Sequence, residues 1–101
     1  MDYRETKGIL GLCVRAGQAA FGEDGCLKSA RGGQCGALIL DGGISPKSEE
    51  KYRGVCLKAG VPVRKLPAGL LEDATGRPGA AMAVKTGTFA EQISCCMKQD
   101  S

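Results

Sequence analysis

One stretch of the chain decides the fold: Ala37-Leu38-Ile39-Leu40-Asp41-Gly42-Gly43-Ile44-Ser45-Pro46. Its first four residues form a continuous apolar run of the length of a buried strand. The three residues after them, Asp41-Gly42-Gly43, are a turn signal. Ser45 and Pro46 then favour a helix start, because serine caps free backbone N–H groups and proline suits the first helical position. The stretch therefore predicts a buried strand followed closely by a helix.

Helices and strands are predicted to alternate in both directions from this stretch. The helix that begins there ends at Gly60, where glycine favours a helix stop. The last helix opens with a capping box, in which threonine stands three residues before glutamate at Thr88 and Glu91. The other predicted elements are a helix over residues 3–16, an extended piece over 18–21, a helix over 23–31, a strand over 63–66, a short helix over 68–75 and a strand over 80–84.

This alternation predicts an α/β fold in which a sheet is covered by helices on both faces. In the first helix we expect Ile9, Cys13 and Ala16 to form the apolar stripe, widened by Leu10 and Leu12. No repeat, low-complexity segment or linker interrupts the pattern. The chain is therefore predicted to be a single domain over residues 1–101, with a frayed tail over 98–101.

The composition limits the class of protein. The chain has 101 residues, of which 43% are apolar and 25% charged, so a folded domain with an aliphatic core is expected. Aromatic residues make up only 4%, too few for a surface of several stacked bases. The net charge of +3 permits a nucleic-acid partner without requiring one. Because no apolar run is long enough for a membrane span or a signal peptide, we expect a cytoplasmic protein, and a monomer suffices.

The residue types disfavour catalysis, metal binding and a bound cofactor. The chain has no histidine, which is the commonest general base and the commonest metal ligand. It also lacks C-x-x-C pairs, G-K-[ST] and a G-x-G-x-x-G after a strand. We therefore expect no catalytic residue, no metal and no cofactor.

Six cysteines leave a thiol-reactive or metal-binding protein as a remote alternative. Cys13, Cys56 and Cys96 coincide with apolar helical stripes, which predicts that they are buried small hydrophobes. Cys26 and Cys35 are expected to be the more exposed thiols.

A group of residues around the start of the second helix suggests binding to a nucleic acid. Gly22 stands at a strand-to-helix junction, where the free N–H groups of the first helical turn can approach a polyanion. The carboxylates of Glu23 and Asp24 can accept from the N1–H and N2–H groups of guanine. Lys28, one turn on, can donate to guanine O6 or to a phosphate, and Arg31 and Arg15 are further candidates for phosphate contact.

A second charged region lies over residues 47–65. It holds six basic residues against two acidic ones, and the rest of the chain is close to neutral. This charge fits the solvated face of an amphipathic helix, and it also fits a surface for a protein partner.

The order of these elements resembles a known family, the ribosomal protein family of kink-turn RNA binders (the L-seven-Ae / L-thirty-e family), especially its small stand-alone bacterial members. The resemblance covers roughly residues 7–93. The motifs that carry it, besides Gly22 to Lys28, are Leu10-Gly11-Leu12-Cys13-Val14-Arg15-Ala16-Gly17, Gly60-Val61-Pro62-Val63, Leu71-Glu72-Asp73-Ala74-Thr75-Gly76-Arg77-Pro78 and Gly87-Thr88-Phe89-Ala90.

The resemblance implies a three-layer α/β/α sandwich with a small four-stranded mixed sheet, whose fourth strand is the piece over 18–21. It also implies binding to a kinked internal loop with tandem sheared G·A pairs. In the family pattern G-x-N-E-x-x-K, Gly22 and Lys28 match, whereas Asp24 replaces asparagine and Gly25 replaces glutamate. A strand-end acid of the family falls on Gly43. The family's apolar loop, which packs on unstacked bases, maps onto Arg77-Pro78-Gly79-Ala80.

The residues and the resemblance together predict a non-catalytic RNA-binding protein. The expected partner is structured RNA, either kink-turn-like or ribosomal, with association to ribosomal particles. The alternative is a protein-interaction module on the same scaffold, attached to ribosomal or other ribonucleoprotein particles. The RNA-binding residues are predicted to be Gly22, Glu23, Asp24, Gly25, Lys28, Arg31, Arg77, Pro78, Gly79 and Ala80.

Overall fold

The computed structural model describes residues 4–76 and 79–97, and within this part of the chain helices and strands alternate. The predicted tail over 98–101 lies outside the described residues. In chain order the elements are α1 (Arg4–Arg15), β1 (Ala19–Phe21), α2 (Glu23–Arg31), β2 (Cys35–Asp41), α3 (Pro46–Ala59), β3 (Val63–Leu66), α4 (Leu70–Thr75), β4 (Ala81–Lys85) and α5 (Thr88–Met97).

The four strands form one mixed sheet in the order β1-β4-β2-β3. β4 runs antiparallel to both of its neighbours, β1 and β2, and β3 runs parallel to β2. Strands β1, β2 and β3 therefore share one direction. The extended piece over 18–21 is confirmed as the fourth strand, at the edge beside β4.

Two buried clusters, one on each face of the sheet, make up the core. On one face Ile39 and Met82 pack with Leu10 of α1, Leu71 of α4 and Ile93 of α5. On the other face the sheet packs against α2 and α3, with the buried residues Cys26, Leu27, Ala30, Cys35, Leu38, Leu40, Ile44, Tyr52, Cys56, Ala81 and Ala83. The α/β/α sandwich with a four-stranded mixed sheet is therefore confirmed.

Local signals place both ends of α3 where the sequence predicts them, and the predicted glycine follows α1. The side chain of Ser45 accepts a hydrogen bond from the N–H of Ser48 at 3.3 Å, and Pro46 is the first residue of α3. Gly60 ends α3 in the left-handed conformation at φ 73°, and Gly17 adopts φ 71° after α1. An L-residue with a side chain rarely adopts such angles, which explains why glycine stands at these two positions.

The buried face of α1 differs from the prediction. It is formed by Thr6, Leu10 and Cys13, which lie at i, i+4 and i+7. Leu12 is 54% exposed and Ala16 is exposed. The prediction is therefore confirmed for Leu10 and Cys13 and wrong for Leu12 and Ala16, and Ile9 is half-buried against the core. Thr6 was missed because an apolar pattern does not count a threonine.

The starts of the last two helices also differ from the prediction. α4 begins at Leu70 rather than at residue 68, because the residues before it form a turn in which the N–H of Leu70 donates to Pro67 O at 3.1 Å. In α5 the N–H of Glu91 donates to Gly87 O at 3.1 Å. Thr88 is therefore the first residue of α5 and Gly87 precedes it, so Thr88 does not stand at the capping position that the predicted capping box requires.

The turn after β2 is fixed by the carboxylate of Asp41. Its Oδ2 accepts from the N–H of Gly43 at 2.8 Å, and its Oδ1 accepts from the N–H of Gly69 at 2.9 Å, in the turn that follows β3. Gly42 lies directly against that second turn. A Cβ at Gly42 would lie 2.7 Å from both Leu66 O and Ala68 N, which are backbone atoms with little room to move.

We predict that Gly42→Ala destabilises the protein by about 1–3 kcal/mol, because the added methyl group forces two packed turns apart. The free energy of unfolding is measured by urea titration. The matched control is Gly8→Ala in α1, where a Cβ has nothing within 4 Å. There the substitution is expected to stabilise by roughly 0.5–1 kcal/mol, since alanine has the higher helix propensity. Equal effects at the two glycines would contradict the close approach at Gly42.

Candidate functional site

The predicted binding residues that the structure describes, apart from Arg31, lie at or near one end of the sheet. Phe21 pairs with Met82, Leu40 with Ala81, and Asp41 with Leu66, so β1, β2 and β3 finish where β4 begins. We call this the Gly22 end, and its loops contain Gly22, residues 41–43 and residues 79–80. Helices α2 and α3 both begin here, because each follows a strand that finishes here.

Gly22 is the residue on which α2 begins. It adopts φ 82° and ψ 158°, a combination open to glycine, and no side chain caps the helix start. The first helical bond runs from the N–H of Cys26 to Gly22 O at 3.0 Å. The N–H groups of residues 23–25 therefore precede the helical bonding pattern. A Cβ at Gly22 would have no atom within 4 Å, so the space in front of these groups is open.

The carboxylate of Glu23 forms an ion pair that the sequence analysis missed. Lys51 Nζ lies 2.5 Å from Glu23 Oε1, and both side chains are about half exposed. An ion pair this exposed stabilises the fold by only about 0–1 kcal/mol, but it holds the starts of α2 and α3 side by side. The parallel course of β1 and β2 indicates that the two helices start together, although sequence alone does not identify this pair.

Lys28 projects from the second turn of α2 into solvent. Among the described residues it has no ion-pair partner, although Asp24 lies four residues before it on the same helix. Asp24 is also exposed. Gly25 is half-buried, and a Cβ there would meet only Ala20 Cβ, at an ordinary contact distance of 3.8 Å. The position therefore has room for a side chain.

The loop that leads into β4 meets the same end of the sheet. The N–H of Asp41 donates to Ala80 O at 2.8 Å, which ties this loop to the end of β2. Gly79 and Ala80 are both exposed. Arg77 and Pro78, the other two predicted RNA-binding residues of this loop, lie outside the described residues.

The structure separates two other candidates from the Gly22 end. Arg31 is exposed at the last turn of α2, two turns away from Gly22. Arg15 ends α1, beside Gln18, whose carbonyl accepts from the N–H of Lys85 at 2.9 Å. Because Lys85 is the last residue of β4, Arg15 lies at the opposite end of the sheet, and its expected phosphate contact does not belong to this site.

The acid at the end of β2 is Asp41, two residues before the position expected from the resemblance. Both of its oxygens accept from backbone N–H groups, as described above. The carboxylate is therefore a structural support of the Gly22 end.

The prediction that Cys26 and Cys35 are the more exposed thiols is wrong. Both are buried, because Cys26 lies on the sheet side of α2 and Cys35 begins the central strand β2. Their Sγ atoms lie 3.6 Å from Ala20 O and 3.2 Å from Ala37 O, respectively. Burial raises the pKa of Cys26 to about 11 and also raises the pKa of Cys35. Such thiols are poor nucleophiles at neutral pH.

The other two described thiols, Cys13 and Cys56, are buried as predicted. Burial raises the pKa of each to about 11. The side chain of Cys96 is not described. Within residues 4–76 and 79–93, no three cysteine or acidic side chains are arranged to hold a metal ion.

Two comparisons give no relative, and the third gives structural ones. No protein-family model matches the chain, and none of the curated proteins matches it. A protein of unknown function from Bacillus halodurans is similar in structure, with a TM-score of 0.83 and 25% sequence identity over 88% of this chain and 92% of the other. Within the described residues, no helix is long and apolar enough to cross a membrane.

Two further structures have the same fold at lower identity. A 15.5 kD RNA-binding protein of Giardia lamblia gives a TM-score of 0.78 at 14% identity, covering 96% of this chain and 88% of that one. The Pelota protein of Thermoplasma acidophilum gives a TM-score of 0.65 at 10% identity, covering 81% of this chain and 27% of that one. The chain therefore shares its fold with an RNA-binding protein and with about a quarter of Pelota.

We predict that Cys13, Cys26, Cys35 and Cys56 resist iodoacetamide in the native protein at pH 8 and react in urea. For Cys13, Cys26 and Cys56, whose pKa is about 11, on the order of 0.1% of the thiol is ionised at that pH. Burial also raises the pKa of Cys35, and it blocks access of the reagent to all four thiols. Mass spectrometry of digested protein assigns the label to each cysteine. Rapid native labelling of Cys26 or Cys35 would instead favour a thiol-reactive role.

Proposed function

We propose that this chain is a non-catalytic RNA-binding protein that recognises a kinked internal loop of structured RNA at the Gly22 end of the sheet. The observation that carries the proposal is the open, uncapped start of α2, with Lys28 one turn behind it and without an ion-pair partner among the described residues. The fold shared with the RNA-binding protein of Giardia lamblia supports it.

The charges at the start of α2 suit base edges rather than phosphates. The carboxylates of Glu23 and Asp24 would repel phosphate, but they can accept from the N1–H and N2–H groups of an unpaired guanine edge. A sheared G·A pair exposes that edge. Lys51 Nζ lies 2.5 Å from a carboxylate oxygen of Glu23. Because this ion pair already restricts the Glu23 side chain, less side-chain entropy is lost when the carboxylate binds a base.

Lys28 and the loop before β4 would complete the contact. The ammonium group of Lys28 can donate to guanine O6 or to a phosphate beside the loop. We propose that residues 77–80 pack on bases that leave the stack, since Gly79 and Ala80 lie exposed at the same end of the sheet as Gly22. These groups include donors, acceptors and apolar surface, which suits the binding of RNA bases and phosphates.

All of the proposed contacts come from one chain, so a monomer suffices. The same chemistry fits structured RNA in ribosomal particles, and we propose that the protein acts there, in the cytoplasm. The alternative, a protein-interaction module, has one observation in its favour, since Leu57 on α3 is 85% exposed.

We predict that the protein binds an RNA with a kinked internal loop more tightly than the same RNA closed to a perfect duplex. Lys28→Ala should weaken binding to the kinked RNA by about tenfold or more, because a base or phosphate contact is worth roughly 1–3 kcal/mol. Fluorescence anisotropy at one fixed salt concentration measures both affinities. Lys85→Ala, which removes an exposed lysine at the opposite end of the sheet, is the matched control. Equal binding to both RNAs, unchanged by Lys28→Ala, would favour the protein-interaction module.

We predict that Gly25→Glu combined with Asp24→Asn strengthens binding to the kinked RNA. The added carboxylate supplies a guanine acceptor, the side chain has room at residue 25, and asparagine removes a repulsion toward phosphate. The expected gain is about 1–3 kcal/mol, read from the same titrations. Gly25→Gln with Asp24→Asn is the matched control, because glutamine has the same length without the charge. Should the glutamine variant bind as tightly as the glutamate variant, the carboxylate has no such role.

A further inference from the structure

Only part of the positive charge of α2, α3 and β3 is available to a ligand. Glu49 holds both Arg53 and Lys65 at 2.8 Å, and the two bonds lower the pKa of its carboxyl group. Glu23 holds Lys51, and Arg64 donates to the carbonyl of Val63 at 3.1 Å. Four cations of α2 and α3 remain, which are exposed and have no ion-pair partner among the described residues: Lys28, Arg31, Lys47 and Lys58.

Three of these four cations border a continuous groove along α3. A depression of about 480 Å³ is lined by Lys47, Glu50, Lys51, Gly54, Val55 and Lys58. A second depression of about 280 Å³ is lined by Arg31 and Ala59 together with the same Val55 and Lys58. The two depressions share Val55 and Lys58, and all of their lining residues except Arg31 of α2 belong to α3. We call this shallow surface along α3, bordered by the last turn of α2, the α2–α3 groove.

The groove leads away from the Gly22 end of the sheet. α2 and α3 both begin at that end, and the Glu23–Lys51 pair holds their starts together. At 1.5 Å per residue, Lys47 and Lys58 lie about 16 Å apart along α3. Between them Gly54 has no side chain, and a Cβ there would have no atom within 4 Å. The groove is therefore open over about three helical turns, with cations at both of its ends.

We propose that the α2–α3 groove binds the phosphate backbone of the RNA stem that flanks the loop held at the Gly22 end. This inference rests on the proposed function and adds a second contact surface to it. The groove begins at the Gly22 end, where the loop is proposed to bind. An RNA stem that leaves the loop along α3 would therefore lie over the cations of the groove. These cations are unpaired and spaced, which suits a chain of phosphates, and Glu50 is the one carboxylate among the lining residues given above.

The test compares two RNAs that share the kinked loop. In one the flanking stem is trimmed to the few pairs next to the loop, and in the other it extends past a full helical turn. Wild-type protein should bind the long-stem RNA more tightly. The double variant Arg31→Gln with Lys58→Gln should bind it about fivefold to tenfold more weakly and leave the short-stem affinity unchanged. The slope of log affinity against log salt concentration for the long-stem RNA should fall by about two.

The control is Arg15→Gln with Lys85→Gln, which also removes one arginine and one lysine charge, but at the opposite end of the sheet. It should bind both RNAs as the wild type does. The proposal is contradicted if Arg31→Gln with Lys58→Gln binds the long-stem RNA as tightly as the wild type does, or loses equal affinity for both RNAs. In either case the α2–α3 groove does not bind the stem, whereas the proposed binding of the loop is unaffected. Normal RNA binding by this variant would leave an acidic protein as the groove's partner. If wild type prefers neither RNA over a perfect duplex, the proposed function fails and this inference fails with it.

Discussion

The carboxylate of Asp41 is the contact on which the candidate site depends. It accepts from backbone N–H groups in two different turns, one after β2 and one after β3. Both strands run in the same direction, so the turns after them lie side by side, and the close approach of Gly42 leaves no room for a side chain between them. The start of α3 follows the first turn directly. The position of Lys51, which pairs with Glu23 at the start of α2, therefore depends on backbone packing at the Gly22 end of the sheet.

The charges on this framework divide into two kinds of surface. At the start of α2, acidic side chains lie beside uncapped N–H groups, so the surface offers both acceptors and donors over a short distance. Farther along α2 and α3, four exposed cations have no ion-pair partner among the described residues, and Glu50 is the one carboxylate that lines the α2–α3 groove. In a suitable partner, exposed base edges would bind the acidic start of α2 and the phosphates beside them would bind the cations farther along. A uniform polyanion would instead be repelled by Glu23 and Asp24. The distribution of charge thus favours a nucleic acid whose regular pairing is interrupted.

Local signals were sufficient to predict the elements but not the contacts between them. The bounds of α2 follow from glycines on either side and from acids in its first turn, and α3 begins where Ser45 and Pro46 place it. The resemblance supplied the fourth strand. The Glu23–Lys51 pair joins residues far apart in the chain, which no periodicity encodes. The burial of Cys26 does have a local signal, because Cys26, Leu27 and Ala30 lie at i, i+1 and i+4 and form the buried face of α2.

The buried thiols have a consequence for the lifetime of the protein. In the native state Cys13, Cys26, Cys35 and Cys56 are enclosed in the two halves of the core, so oxidants reach these sulfurs only when the chain opens. In an opened chain the sulfurs can join in pairs that the native packing does not allow. Under oxidising conditions each unfolding event therefore risks becoming permanent, and the working life of the molecule is set by how often it unfolds.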